Sequence, residues 1–132
     1  MNAIAARITG MQHIGLPTND IDATIAFYKT LGFEVASQTT LPTDKVAFLK
    51  LKGICIETYQ SLGQPNAKGF DGAIDQICVD VDDIEATLEA VKAAGLKPMN
   101  DEIEFLPFWE KGVRFFKVLG PNHEPVEFCQ IL

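Results

Sequence analysis

His13, Glu57 and Glu127 are the side chains whose types and surroundings could do chemistry. His13 lies in a short apolar segment, MQHIGL, and is one of two histidines in the 132-residue chain. Glu57 and Glu127 sit inside otherwise apolar stretches, ICIETY and PVEFCQ. A carboxylate in such a stretch is costly unless it is paired or bound to a metal, whereas on an outer face it costs little. An imidazole on a strand is equally open to a structural reading. Three cysteines keep regular company with these positions. Cys55 is two residues before Glu57, Cys78 two after Gln76, and Cys129 two after Glu127. Alternation along a regular strand puts residues two apart on one face. The thiols therefore either line a pocket or fill the floor beside it as small buried side chains.

A second group could meet a substrate. Phe105, Leu106, Pro107, Phe108 and Trp109 form an aromatic stretch, which reads as a lid or apolar wall, a loop folded on the core, or a dimer contact. The chain has only two arginines, Arg7 and Arg114. Lys111, Arg114 and Lys117 could meet an anion or simply form a solvated face.

The elements that must position these residues occur twice. Residues 11–33 (MQHIGLPTNDIDATIAFYKTLGF) align without a gap with residues 74–96 (IDQICVDVDDIEATLEAVKAAGL), at an offset of 63. Ile14 meets Ile77, Asp20 meets Asp83, Thr24 meets Thr87, Lys29 meets Lys92 and Gly32 meets Gly95. The same offset sets Gln76 in the place of His13. Residues 46–60 also match 113–130 after a three-residue turn insertion, so Glu57 meets Glu127 and Gln60 meets Gln130. Two units are too few for a solenoid and suit a paired arrangement.

Each unit reads as strand, helix and three strands. In the first, strands are expected at 11–16, 33–39, 46–51 and 54–60. Asn19 or Asp20 caps a helix carrying the apolar stripe Ile21, Ile25, Tyr28 and Leu31, which Gly32 ends. In the second, strands are expected at 74–80, 96–103, 113–119 and 124–131. Asp82 is expected to cap a helix carrying Ile84, Leu88 and Val91, which Gly95 ends. Residues 104–112 are expected to be an extra loop.

Composition narrows the function classes. Hydrophobic residues make up 47% and charged residues 22%, which suits a packed core and argues against disorder. The formal net charge of -7 repels phosphate backbones, so nucleic acid is a poor partner. No apolar run approaches the roughly 18 residues of a membrane span, and no secretory signal is visible at the start. An odd cysteine count among apolar neighbours suits buried thiols and a cytoplasmic location.

HIGLPTNDIDATIAFYKTLGF closely resembles the opening of glyoxalase-type (vicinal oxygen chelate) proteins. There a histidine on the first strand precedes a helix that ends in a phrase like FY-x-x-LGF. VDVDDIEATLEAVKAAGL is similar to the matching part of their second module. GPNHEPVEF resembles their last hairpin, GP-x-G-x-x-x-E, with His123 in place of the second glycine. The likeness spans roughly residues 8–131 and is specific for fold. It implies an α+β domain over 1–132, made of two βαβββ modules (about 8–60 and 74–131, linker 61–73). These would form a curved mixed sheet around a metal-binding cavity. The superfamily includes glyoxalase I, methylmalonyl-CoA epimerase, ring-cleaving dioxygenases, fosfomycin-modifying enzymes and antibiotic-sequestering proteins, so the reaction must be argued from the site.

Carried over position by position, the resemblance implies a metal set of His13, Glu57, Gln76 and Glu127, with Gln76 where a histidine is common. One imidazole, one amide oxygen and two carboxylates suit one divalent Zn, Ni, Co or Mn per site. The set argues against a non-heme iron oxygenase, which takes two histidines and one carboxylate. The implied activity is that of a lactoylglutathione lyase-like (glyoxalase I) lyase or isomerase. Such an enzyme stabilises an enediolate during proton transfer on a small 2-oxo or thioester-like substrate. Glu127 would be the base, with Glu57 the second candidate. Phe105, Phe108, Trp109 and Arg114 would contact the substrate. The alternatives are a non-catalytic, bleomycin-resistance-like sequestering protein, or another metalloenzyme of the fold such as an epimerase or dioxygenase. A homodimer is implied, with the four ligands from one chain or two from each of two.

Overall fold

The computed structural model describes residues 2–3, 5–7, 11–65, 67–69, 76–100 and 102–132. After a short 3-10 turn at Ala5–Arg7, the first module runs β1 (Ile14–Pro17), α1 (Ile21–Thr30), β2 (Glu34–Thr40), β3 (Asp44–Leu51) and β4 (Ile54–Ser61). The second runs β5 (Ile77–Asp80), α2 (Ile84–Ala93), β6 (Glu104–Leu106), β7 (Val113–Leu119) and β8 (Pro125–Ile131). The strands form two four-stranded mixed sheets, ordered β1-β4-β3-β2 and β5-β8-β7-β6. In each, the first strand lies parallel to the last and the others are antiparallel. This is the expected α+β pair of βαβββ modules. The two sheets are not hydrogen-bonded to each other: β1 and β5 are four-residue strands, each hydrogen-bonded on one side to its own module's last strand. The part of the expected strand 74–80 before Gln76 lies outside the described residues.

The helices start by one chemistry used twice. Asp20 and Asp83 each accept a hydrogen bond at 3.0 Å from the backbone N–H three residues on, Ala23 and Ala86. Gln60 Oε1 accepts from Ile21 N–H, and Gln130 Oε1 from Ile84 N–H, both at 2.9 Å. These bonds satisfy donors that a helix start leaves free. The second cap is therefore Asp83 rather than Asp82, the position that the repeat pairs with Asp20. Gly32 and Gly95 follow the helices at φ of 102° and 83°, conformations that a Cβ disfavours.

The expected strand 96–103 also needs correction. Pro98 makes an isolated bridge to Val118, and Met99 N–H donates to Lys117 O at 2.8 Å. Proline has no N–H to extend that ladder. The partner of β7 is instead Glu104–Leu106, inside the segment expected to be only a loop. Gly112 then turns the chain at φ 97°, and a Cβ there would collide with the Phe105 ring.

Both helices cover one face of their own sheet. Ala47, Leu49 and Ile56 from module one join Phe116, Val118, Val126 and Phe128 from module two in a single buried cluster with Ile21, Tyr28 and Ile84. The alternating residues on these strands are left for the opposite faces. A polar ring also ties the modules together. Thr18 O–H donates to Asn122 Oδ1 (2.7 Å), the Asn122 side-chain Nδ2–H donates to Thr24 Oγ1 (2.9 Å), and Thr18 and Thr24 share a hydrogen bond of 2.9 Å. Beside it the Tyr28 hydroxyl donates to Glu124 Oε2 at 3.1 Å. Among the described residues, no helix is long and apolar enough to cross a membrane.

Candidate functional site

The open faces of the two sheets present the two repeated glutamates in the same register. Glu57 stands opposite Gly15 on β1 and Phe48 on β3. Glu127 stands opposite Cys78 on β5 and Lys117 on β7. One backbone frame therefore carries two different sets of side chains.

In module one, His13 Nε2 lies 3.6 Å from Glu57 Oε2. The other ring nitrogen, Nδ1, is 2.8 Å from Gln12 Oε1. A carbonyl oxygen only accepts, so Nδ1–H donates to Gln12 and Nε2 is turned toward the carboxylate. A ring nitrogen and a carboxylate oxygen so placed share either a proton or a cation. Two donors at tetrahedral positions around a zinc-like ion, with bonds of about 2.0–2.2 Å, would be roughly 3.4 Å apart. The observed spacing fits such an ion, and Gln12 supplies the outer hydrogen bond that orients a ligating histidine. The Phe48 ring meets His13 edge-on, with centroids 5.7 Å apart, and further limits its rotation.

In module two, Glu127 is more enclosed, with 13% of its side chain exposed, and both its oxygens are engaged. Lys117 Nζ is 3.7 Å from Oε2, and Cys78 Sγ is 3.5 Å from Oε1. Burial first, and then the Glu127 charge and hydrogen bond, push the Cys78 thiol up to about 12. Burial and the charges of Glu127 and Asp80 also raise Cys129, against a small opposing effect of its hydrogen bond with Cys78. Both thiols stay protonated at neutral pH, so neither is an activated nucleophile. Gln76 is half-buried immediately before β5.

The donors fall into groups as follows. His13 and Glu57 meet. Glu127, Cys78 and Cys129 meet, with one donor atom from each within 4.8 Å of the others. Among the described residues no group of three or more such donors joins His13 and Glu57 to Glu127. Arg114 lies elsewhere. It is three residues from Lys117 on the same strand and so faces the helix side, where it binds Glu85 of α2 at 3.0 Å. Phe105 is its register partner on β6. Phe108 and Trp109 are solvent-exposed in the turn between β6 and β7, and Trp109 has φ 61°. Sequence reasoning gave no site role to Gln12 and Phe48 and offered Lys117 either an anion or a solvated face, not Glu127. The available signal for Lys117 was its alternation with Val113 and Phe115, which places it on the face of Glu127.

Comparison with known proteins identifies the family and the fold. Residues 10–128 match the model of the Glyoxalase/Bleomycin resistance protein/Dioxygenase superfamily. The uncharacterized protein YwbC of Bacillus subtilis (strain 168) is 30% identical over 124 residues, covering 91% of this chain and 96% of that protein. The mitochondrial methylmalonyl-CoA epimerase of Homo sapiens is 26% identical over 103 residues, covering 71% of this chain and 58% of the epimerase. A glyoxalase family protein from Enterococcus faecalis has the same fold, with a TM-score of 0.77 at 22% identity, over 92% of this chain and 97% of that one.

Proposed function

We propose that this chain, which belongs to the Glyoxalase/Bleomycin resistance protein/Dioxygenase superfamily, is a metal-dependent lyase or isomerase of glyoxalase I type. Its substrate would be a small 2-oxo or thioester-like molecule. The observation that carries the reading is the His13–Glu57 pair, an imidazole nitrogen and a carboxylate oxygen 3.6 Å apart, which are donor types and a spacing that a divalent cation fits. His13, Glu57, Gln76 and Glu127 would hold one divalent Zn, Ni, Co or Mn. The chain would act as a homodimer, with the four ligands from one chain or two from each of two copies. The metal would supply a Lewis acid for the negative charge that develops as a proton leaves the carbon beside a carbonyl.

The chain's own groups do the rest. Glu127 accepts that proton and returns it, and Glu57 is the second candidate. Lys117 and Cys78 hold the two Glu127 oxygens in place before substrate arrives. Gln12 orients the His13 ring through Nδ1. Phe108 and Trp109 offer apolar surface to the substrate, whereas Arg114 is committed to Glu85. Proton removal and return is also what an epimerase does, so the epimerase relative supports the reaction class. The three free cysteines suit a cytoplasmic setting.

The test is elemental analysis of untagged protein, followed by turnover of a hemithioacetal and of a 2-substituted acyl thioester. About one ion per site is expected, and His13→Ala and Glu57→Ala should each remove one equivalent relative to the parent chain. Glu127→Gln should lower turnover by about 100-fold or more, the size of a general-base effect. Dilution to monomer should abolish metal binding if the site is shared. No ion after incubation with each of the four metals, or an ion content that His13→Ala and Glu57→Ala leave unchanged, would sink the reading. A sequestering protein would then lead, because Lys117 already gives Glu127 a cation and the exposed Phe108 and Trp109 could hold an aromatic ligand.

A further inference from the structure

The duplication supplies its own control for what is unusual about module two. Around the repeated glutamate, three positions differ together. Module one has Gly15, Phe48 and Tyr59; module two has Cys78, Lys117 and Cys129 at the matching register. In module one the Tyr59 ring reaches toward Gly15, leaving room for a Cβ 3.8 Å from it. In module two that space holds two thiols. Module two also has Gln76 where module one has its imidazole.

We propose that module two holds a soft dication of the zinc class on Cys78 Sγ, Cys129 Sγ and Glu127 Oε1. One donor atom of each residue already lies within 4.8 Å of the other two. The thiols give up their protons as the ion binds. Two thiolates and one carboxylate carry three negative charges, Lys117 on Oε2 returns one positive charge, and a dication brings this inner set to neutrality. Asp80 adds negative field from the end of β5, where it stands opposite Cys129. Thiolate pairs select zinc, cadmium and other soft ions over magnesium, calcium or manganese. Cys78 is exposed and gives entry from solvent, while Val113 and Phe115 pack around the buried Cys129 and form a dry floor. Three protein donors leave a fourth tetrahedral position open.

This site stands on its own geometry and does not depend on the function proposed above, which gives Glu127, Cys78 and Lys117 other roles. The experiment is titration of the reduced full chain with cadmium, read by the ultraviolet thiolate-to-cadmium charge-transfer band, with zinc as competitor. One cadmium per chain is expected to raise the band, and zinc to displace it. Cys78→Ser, at an exposed position, should abolish the band and weaken binding by more than the roughly 10–100-fold that loss of an outer-shell partner costs. Cys129→Ser should do the same, with circular dichroism reporting the fold. Cys55→Ser and His13→Ala should leave the band intact. A parent chain without the band, a band that survives Cys78→Ser, or one lost in His13→Ala would overturn the proposal. Because His13→Ala removes the first site and spares the second, failure of either reading is seen separately.

Discussion

His123 occupies the turn position where the related hairpin phrase carries glycine, and its backbone has φ 63°. A left-handed conformation costs a side-chain-bearing residue roughly 1–2 kcal/mol, of which glycine's extra freedom in the unfolded chain takes back about 0.5–1. His123→Gly is therefore expected to stabilise the protein by about 0.5–1 kcal/mol. The midpoint of urea unfolding measures this, and a lower midpoint would mean that the imidazole makes contacts worth more than the strain. At the same scale, Phe48 and Lys117 show how one side chain sets the character of a carboxylate. The first leaves Glu57 to His13; the second gives Glu127 a permanent counter-charge.

At the scale of elements, the two βα units share a device that composition would not suggest. A glutamine near the end of the last strand reaches the first N–H of the helix: Gln60 to Ile21, and Gln130 to Ile84. The bond locks strand to helix and so fixes where the glutamate three residues earlier on that strand sits. Gln130→Leu should strand the Ile84 N–H without an acceptor, at a cost of about 1–3 kcal/mol. Gln60→Leu should cost a similar amount through α1. Thermal unfolding of both variants checks this, and unequal losses would show that the two modules no longer share the contact energetically.

At the scale of the whole molecule, α1 is fastened to the β7–β8 turn through Thr18, Thr24, Asn122, Tyr28 and Glu124. Burial, and then the Glu124 charge and hydrogen bond, raise the Tyr28 hydroxyl far above its ordinary 10.0. The folded chain thus keeps a proton that the unfolded chain releases above about pH 10. Stability must fall as pH rises through that range, because the folded state binds more protons there. Tyr28→Phe should be less stable at neutral pH, by about 1.5–3 kcal/mol for a hydrogen bond to a charged group. It should also show a flatter loss above pH 10. Denaturant midpoints measured from neutral to alkaline pH test both, and parallel profiles would assign the alkaline loss to other groups.

The repeat, the two helices and most strands were legible from residues alone, because an ungapped offset and period-matched apolar positions are local properties of the chain. The glutamates and the thiols beside them were legible for the same reason: alternation puts residues two apart on one face. Even Asp83 was available from its match to Asp20. Less was legible where pairing overrides pattern. Pro98 lacks the N–H to continue its ladder, so β6 forms at Glu104–Leu106, a choice settled by hydrogen bonding to β7. Arg114 and Lys117 look alike in sequence, yet three residues along a strand put one against α2 and the other on Glu127. The sequence by itself determined that two similar modules each carry one glutamate in an apolar strand. Tertiary structure alone decided each glutamate's partners, because strands far apart in sequence bring Cys78, Lys117 and Glu127 together, and register across a sheet is fixed only when the strands pair.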